Sequence, residues 1–107
     1  MVKIEFQYFE GCPNAQKTLE NLMVLVKEGM ISQEEIMVVV IHDEKEAEMK
    51  HFQGSPTILM DGKDIFTGKK PEGFQFSCRT YPIEGKKTGI LPVDFIKKAF
   101  LQMKASG

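Results

Sequence analysis

Alternating apolar and polar residues open the chain and predict a first strand. Val2, Ile4, Phe6 and Tyr8 are apolar or aromatic, whereas the residues between them are polar or charged. This period of two is typical of a strand with one buried face. Apolar residues at helical spacing follow and predict an amphipathic helix with Gly29 as its natural end. The predicted inward face of this helix consists of Ala15, Leu19, Leu22, Met23 and Val26.

The next apolar segment has no alternation. Residues 36–41 are all apolar and mostly β-branched, which predicts a strand covered on both faces. Strands of this kind are usually parallel and central in their sheet. A short charged helix should come next, because Asp43 lies three residues before Glu46 in the spacing of a capping box. Gly54 is the predicted end of that helix.

The second half of the chain predicts antiparallel strands closed by a helix. Pro56 opens a strand over 57–60. The dipeptide Asp61-Gly62 is a strong hairpin signal and predicts a returning strand over 63–66. A loop, a strand ended by Pro82, a turn and the last helix are then expected, at 67–73, 74–81, 86–89 and from Pro92 onward.

This order of elements predicts one α/β domain over residues 1–107, a length that suits a single domain. The first strand, helix and strand form a βαβ unit, whose crossover should be right-handed. An antiparallel ββα unit completes the chain. We therefore expect a central mixed sheet with the strand order 2-1-3-4, flanked by the first and last helices on one face and the short helix on the other.

Composition and charge narrow the function classes. Hydrophobic residues make up 42% of the chain, enough for a core without disulfide staples. The net charge of −1 argues against a nucleic-acid partner. No apolar run approaches the roughly 20 residues that span a bilayer, and the first residues lack the pattern of a secretory signal. We expect a cytoplasmic monomer that binds neither membrane nor nucleic acid, with Cys12 and Cys78 as reduced thiols.

Two short motifs carry a family resemblance. The segment from Tyr8 to Ala15, which contains Gly11-Cys12-Pro13-Asn14, resembles the active-site turn of thioredoxin-like and glutaredoxin-like proteins. There the nucleophilic cysteine also lies between strand one and helix one. Gly54-Ser55-Pro56-Thr57-Ile58 resembles the family's cis-proline loop, which enters the third strand beside that cysteine. The resemblance implies a thioredoxin-like fold, a catalytic Cys12 and a cis Ser55–Pro56 peptide bond. The substrate-binding residues that it implies are Gly11, Pro13, Ser55, Pro56 and Thr57.

The position of Cys12 favours a reactive thiol on physical grounds as well. A thiolate is the nucleophile, and a helix N-terminus stabilises negative charge through its unpaired N–H groups and its dipole. Pro13 fits the first helical position, where a missing N–H costs nothing. The alternative is that Cys12 is only a small, half-buried residue capping the helix.

Ala15 departs from the pattern of the dithiol members of the superfamily. It occupies the place of the second cysteine in Cys-x-x-Cys, so Cys12 cannot release a mixed disulfide through it. Monothiol members act with glutathione or carry iron–sulfur clusters or sulfur adducts, and other members have lost catalysis. Cys78 is then either a distant resolving thiol or a core cysteine that shares a face with Phe74 and Phe76.

Arg79 and two histidines are the remaining candidates for ligand binding. Arg79 is the only arginine and could bind a carboxylate such as that of glutathione, although alternation favours a solvated surface side chain. His42 and His51 match no zinc spacing and are interpreted as surface residues. We therefore predict no metal site and no cofactor.

Three functions remain open from the sequence. The first is thiol–disulfide exchange at Cys12 with a protein or a small-molecule thiol or disulfide such as glutathione, either as a monothiol or with Cys78 resolving. The second is a soft-metal or mercurial site in which Cys12 and Cys78 supply two thiolates. The third is a non-catalytic interaction domain on the same fold.

Overall fold

The computed structural model describes residues 2–106, which contain three α-helices, one turn of 3₁₀ helix at Gln33–Glu35 and eight short strands. In chain order the elements are β1 (Ile4–Tyr8), α1 (Ala15–Lys27), β2 (Ile36–Val40), α2 (Glu44–Lys50), β3 (Gln53–Ser55), β4 (Thr57–Met60), β5 (Lys63–Asp64), β6 (Gln75–Cys78), β7 (Tyr81–Ile83), β8 (Lys86–Thr88) and α3 (Val93–Ser106). None of these helices is both long enough and apolar enough to cross a bilayer.

Four of the strands form a mixed sheet in the order β2-β1-β4-β5. β1 pairs in parallel with β2, where Phe6 lies opposite Val38, and antiparallel with β4, where Phe6 lies opposite Ile58. β5 continues the sheet antiparallel to β4, with Leu59 opposite Asp64. The predicted order of four strands is therefore confirmed, with one parallel pair in the βαβ unit and an antiparallel hairpin after it.

Two separate hydrophobic clusters hold the helices against the strands. The larger one contains Ile4 and Phe6 of β1, together with residues of α1 and α3 such as Leu22 and Ile96. The smaller one surrounds α2, and its buried residues are Ile41, Ala47 and Phe52. The first and last helices thus share one core and the short helix has another, as the order of elements predicts.

β2 lies at the edge of the sheet, as the predicted order 2-1-3-4 requires, but it is not covered on both faces as its unbroken apolar pattern indicated. Met37 and Val38 are 48% and 47% exposed, and β1 is the strand that pairs with β2. β4 is instead the fully buried strand, with β1 and β5 on its two sides. An unbroken apolar run predicts a strand correctly, but it does not determine how much of that strand is covered by the rest of the fold.

α2 begins as predicted and ends earlier. The Asp43 side chain caps it by accepting a hydrogen bond from the Glu46 N–H at 2.8 Å. The helix stops where His51 takes a left-handed conformation with a φ of 53°. Gly54, the predicted end of this helix, lies within β3 instead.

The predicted strand over 74–81 is two strands in two small sheets. β6 pairs in parallel with β3, and β7 pairs antiparallel with β8. Pro82 lies inside β7 rather than ending a strand, and most of the predicted turn at 86–89 is β8. The chain reverses at Glu84-Gly85, where both residues have a positive φ.

The returning strand predicted over 63–66 is only the two residues of β5. Asp64 ends it, because its carboxylate accepts hydrogen bonds from the N–H groups of Phe66, at 2.8 Å, and Thr67, at 3.4 Å. This local turn directs the chain away from the sheet. The side chain that ends β5 also has a second role, in the ion pair described below.

α1 begins at Ala15, two residues after Pro13. Most of its predicted inward face is in the core, since Ala15 and Leu22 are buried and Leu19 and Val26 pack against the larger cluster. The polar residues Thr18 and Asn21 of α1 are buried as well. They are buried because both bond to the backbone of Leu91: the Asn21 amide donates to its carbonyl at 2.9 Å, and its N–H donates to the Thr18 hydroxyl at 3.3 Å. The helix is therefore held against the segment 88–91 by polar contacts as well as apolar ones.

Candidate functional site

Cys12 lies in the turn between β1 and α1. Its N–H donates to the Phe9 carbonyl at 3.3 Å, and its carbonyl accepts from the Ala15 N–H at 3.4 Å. Gly11 has a φ of +90°, a conformation that favours glycine although a Cβ there would meet open space. The Cys12 thiol is free and half-buried against the larger cluster. The turn therefore holds the sulfur at the surface of the main core.

Asn14 closes this turn from the side of the helix. Its side chain makes no capping hydrogen bond to α1. It packs instead against Gly89, where an added Cβ would lie 2.0 Å from the Asn14 Nδ2. Asn14, Thr18 and Asn21 lie three and four residues apart, so they form a polar stripe along one side of α1. That spacing was the sequence signal for the contact with segment 88–91, and sequence reasoning missed it.

An apolar pocket of about 370 Å³ opens beside Cys12. Its walls come from the end of β1 and the first turns of α1, and Glu10 and Gln16 are the polar side chains among them. A volume of this size lies in the range of small-molecule sites in proteins. The apolar side chains of the wall include Phe6, Tyr8, Phe9 and Leu19.

The Ser55–Pro56 peptide bond is cis, so this part of the prediction is confirmed. The antiparallel register of β1 and β4, continued past its last pair, places Pro56 opposite Tyr8 and Ser55 opposite Phe9. The Ser55 hydroxyl accepts a hydrogen bond from the Phe9 N–H at 3.4 Å. Phe9 therefore bonds to Ser55 through its N–H and to Cys12 through its carbonyl, which links the proline segment to the cysteine turn.

Cys78 is an exposed free thiol, so the interpretation as a core cysteine was wrong. It lies in β6 directly beside Ser55, its partner in β3. The register of these two strands shifts by one residue between Gln53 and Ser55. Such a bulge re-aims the side chains that follow it, which is why simple alternation from Phe74 failed to describe Cys78. Ser55 thus lies between the two segments that carry the cysteines.

Arg79 is held in a buried ion pair, and its predicted solvated position was wrong. Its guanidinium donates to the Asp64 carboxylate at 2.6 Å and to the Thr57 hydroxyl at 3.0 Å. The two charged side chains are 11% and 2% exposed. The guanidinium also lies over the Tyr81 ring, 4.5 Å from its centre. The alternation of residues around Arg79 did not indicate its burial, because the Asp64 carboxylate that pairs with it comes from a different strand.

Tyr81 completes the cluster beneath the cis peptide bond. Its hydroxyl donates to the Pro56 carbonyl. Burial is the main reason that the pKa of Tyr81 lies well above its ordinary value of 10. The positive charge of Arg79 lowers this pKa in part, whereas the negative charges of Asp64 and of a Cys12 thiolate raise it further. No local motif marks this tyrosine in the sequence.

The residues expected to bind substrate divide into two groups. Gly11 and Pro13 are exposed in the cysteine turn. Ser55, Pro56 and Thr57 are buried, and the Thr57 hydroxyl is already bonded to the Gly54 carbonyl and to Arg79. The side chains of the second group hold the loop in place, and the backbone carbonyls of Ser55 and Pro56 are bonded as well, to the Arg79 N–H at 2.9 Å and to the Tyr81 hydroxyl.

His42 and His51 are both exposed, as expected of surface residues. The backbone N–H and the imidazole of His42 each bond to the Glu46 carboxylate, which lowers the pKa of Glu46. Within residues 2–106, no three histidine, cysteine, aspartate or glutamate side chains gather in a way that could hold a metal ion.

Comparisons with known proteins give no match to this chain. A scan against protein-family models finds no matching family. Searches of curated proteins and of solved structures likewise find no match. Function must therefore be argued from the pocket beside Cys12 and from the residues that surround Ser55.

Proposed function

We propose that this chain is a thioredoxin-like domain that carries out thiol–disulfide exchange with Cys12 as its nucleophile. The strand order, the parallel pair within the βαβ unit and the cis peptide bond at Ser55–Pro56 are the features that support the fold. The observation that carries the function is the pocket. A free, half-buried thiol stands in the wall of a cavity large enough for a small molecule.

The first step of the reaction needs only Cys12 and a disulfide. The Cys12 thiolate attacks one sulfur of R–S–S–R′, which forms the mixed disulfide Cys12–S–S–R and releases R′–S⁻, and the released thiolate then takes a proton. In this step the R′ sulfur is reduced to a thiolate and the Cys12 sulfur is oxidised to the disulfide level, so the number of disulfides is unchanged.

The second step requires another thiol, since Ala15 provides none. Cys78 is exposed in the strand next to Ser55 and is the chain's own candidate for this role. Its thiolate would attack the Cys12 sulfur and release R–S⁻, so that the ligand is reduced to two thiols and the protein is oxidised to a Cys12–Cys78 disulfide. An external thiol can attack the mixed disulfide instead and return Cys12 to its free form.

The test separates the two cysteines by reacting each one alone. Reduced wild type, Cys12→Ser and Cys78→Ser are mixed with 4,4′-dithiodipyridine near neutral pH, and the release of the coloured thione is followed in a stopped-flow instrument. We expect a fast phase in the wild type and in Cys78→Ser that is absent from Cys12→Ser. The exposed Cys78 serves as the internal reference for an ordinary thiol.

Mass spectrometry of the products then assigns the second step. We expect Cys78→Ser to accumulate a mixed disulfide on Cys12 and the wild type to form an internal disulfide after loss of a second thione. If Cys12→Ser reacts as fast as Cys78→Ser, Cys12 is an ordinary thiol and the proposed function is wrong. If the wild type also accumulates the mixed disulfide, Cys78 is not the resolving thiol.

A further inference from the structure

The pocket beside Cys12 is aromatic on the inside and acidic at its rim. The aromatic residues Phe6 and Tyr8 of β1 and Phe9 just after it line the pocket, and Leu19 adds an aliphatic residue from α1. Glu10 is the charged side chain in the wall, and it is exposed. When Cys12 is ionised, the opening of the pocket therefore carries two negative charges.

No cation in the described lining offsets these charges. The wall contains no lysine, arginine or histidine. Arg79, which the sequence suggested for a carboxylate, uses its guanidinium on Asp64 and Thr57. Lys17, the nearest lysine along α1, pairs with Glu20 at 3.9 Å on the exposed side of the helix. A ligand with carboxylates close to its disulfide would meet repulsion here and find no donor of matching charge.

On the basis of the proposed function, we infer that the disulfides accepted at Cys12 are small ones with an aromatic or other apolar substituent and no negative charge, and that glutathione disulfide is a poor substrate. The substituent occupies the space lined by Phe6, Tyr8 and Leu19, where an aromatic group gains apolar and aromatic contacts. Its disulfide then lies at the Cys12 sulfur. Exchange follows the balanced first step above: Cys12 retains the substituent, and its partner thiolate departs.

The experiment measures Cys12 alone, in the Cys78→Ser variant, against four disulfides of different charge and shape. The reagents are 4,4′-dithiodipyridine, bis(2-hydroxyethyl) disulfide, 3,3′-dithiodipropionate and glutathione disulfide. Each rate is divided by the rate of the same reagent with a Gly-Cys-Pro-Asn peptide, which removes its intrinsic reactivity. We expect the normalised rate to be roughly tenfold higher for the neutral aromatic reagent than for the two anionic ones, with the neutral alkyl reagent between them.

Two variants assign this preference to the pocket. Glu10→Lys should raise the normalised rates of the anionic reagents several-fold. Glu20→Lys makes the same change of charge on α1 outside the pocket and should raise them much less. Leu19→Phe fills part of the space and should lower the ratio of aromatic to alkyl rates.

The possible failures are distinguishable. Equal normalised rates for all four reagents would overturn the inferred preference while leaving Cys12 as the nucleophile. Preferential reaction with glutathione disulfide would overturn it in the same way. A Cys12 that reacts with every reagent no faster than the peptide would overturn the proposed function itself.

Discussion

The segments that carry Cys12 and Cys78 are held in place by different interactions. The Cys12 turn is fixed by backbone bonds to Phe9 and Ala15, three residues away on either side. The Cys78 strand is fixed by interactions that are distant in sequence, above all the Arg79–Asp64 ion pair. The placement of the nucleophile is therefore encoded locally, whereas the placement of the second thiol depends on a buried charge from another strand.

Arg79→Ala is the change expected to disturb the Cys78 side most. It leaves the Asp64 carboxylate, which is 2% exposed, without its partner. Removing one member of a buried pair costs about 3–5 kcal/mol, because the remaining charge stays buried. We expect a lower urea midpoint and, below the unfolding transition, faster alkylation of Cys78 with little change at Cys12.

A surface ion pair of similar length provides the control. Lys97 and Glu28 are 2.7 Å apart, but their side chains are 32% and 45% exposed, so Lys97→Ala should cost only about 0–1 kcal/mol. Adding Asp64→Asn to Arg79→Ala should recover part of the lost stability, since the buried charge is removed. Equal losses in the two alanine variants would contradict the role given to the ion pair.

Gly54→Ala tests the close contact between β3 and β6. Gly54 has a φ of +107°, and an added Cβ would lie 2.7 Å from the Gln75 Nε2 and 2.9 Å from the Arg79 Cβ. Gly62 also has a positive φ, of +82°, but faces open space. We expect Gly54→Ala to lose about 1–3 kcal/mol more than Gly62→Ala in urea denaturation, because only the first is overpacked. Equal losses of stability in Gly54→Ala and Gly62→Ala would show that the positive φ alone, and not the close contact with β6, accounts for the glycine at position 54.

Tyr81→Phe is expected to have the smallest effect at neutral pH, about 1 kcal/mol from the lost hydrogen bond to Pro56. The substitution has a larger effect on how the free energy of unfolding depends on pH. Burial raises the pKa of Tyr81 above 10, so its contribution to stability is present below pH 10 and declines as the pH rises above that value. Denaturation at several alkaline pH values should show a steeper loss in the wild type than in the variant. Parallel losses would mean that Tyr81 ionises equally in both states.

The parts of the fold that were predictable depend on patterns within a few residues. Alternation in β1 and the hairpin signal at Asp61-Gly62 were enough to give the order of the four strands. The exposure of Met37 and Val38 in β2 was not predictable, because their unbroken apolar pattern is typical of a strand covered on both faces. The hydrophobic pattern thus predicted where the elements lie in the chain better than it predicted how each element is covered in the fold.

The candidate site shows the same division. Cys12 and the cis bond at Pro56 were predicted from two short motifs. The burial of Arg79 and the exposure of Cys78 were not, because the first depends on a carboxylate 15 residues away and the second on a shifted strand register. A polar residue such as Thr18 is buried where a backbone group distant in sequence hydrogen-bonds to its side chain. The residues around Thr18 in the sequence do not indicate which group that is.

Phe9 has a consequence for motion at the site. Its ring packs against Phe76, with ring centres 5.3 Å apart, in the smaller hydrophobic cluster, while its backbone bonds to Ser55 and Cys12. A cluster with few buried side chains is expected to open by local unfolding before the main core does. Each opening releases the Phe9 ring and loosens the cysteine turn. The fraction of time for which Cys12 is held in its turn therefore depends partly on how often α2 detaches from the strands. Conditions that increase this opening should raise the amide hydrogen-exchange rates of Ala47 and Cys12 together.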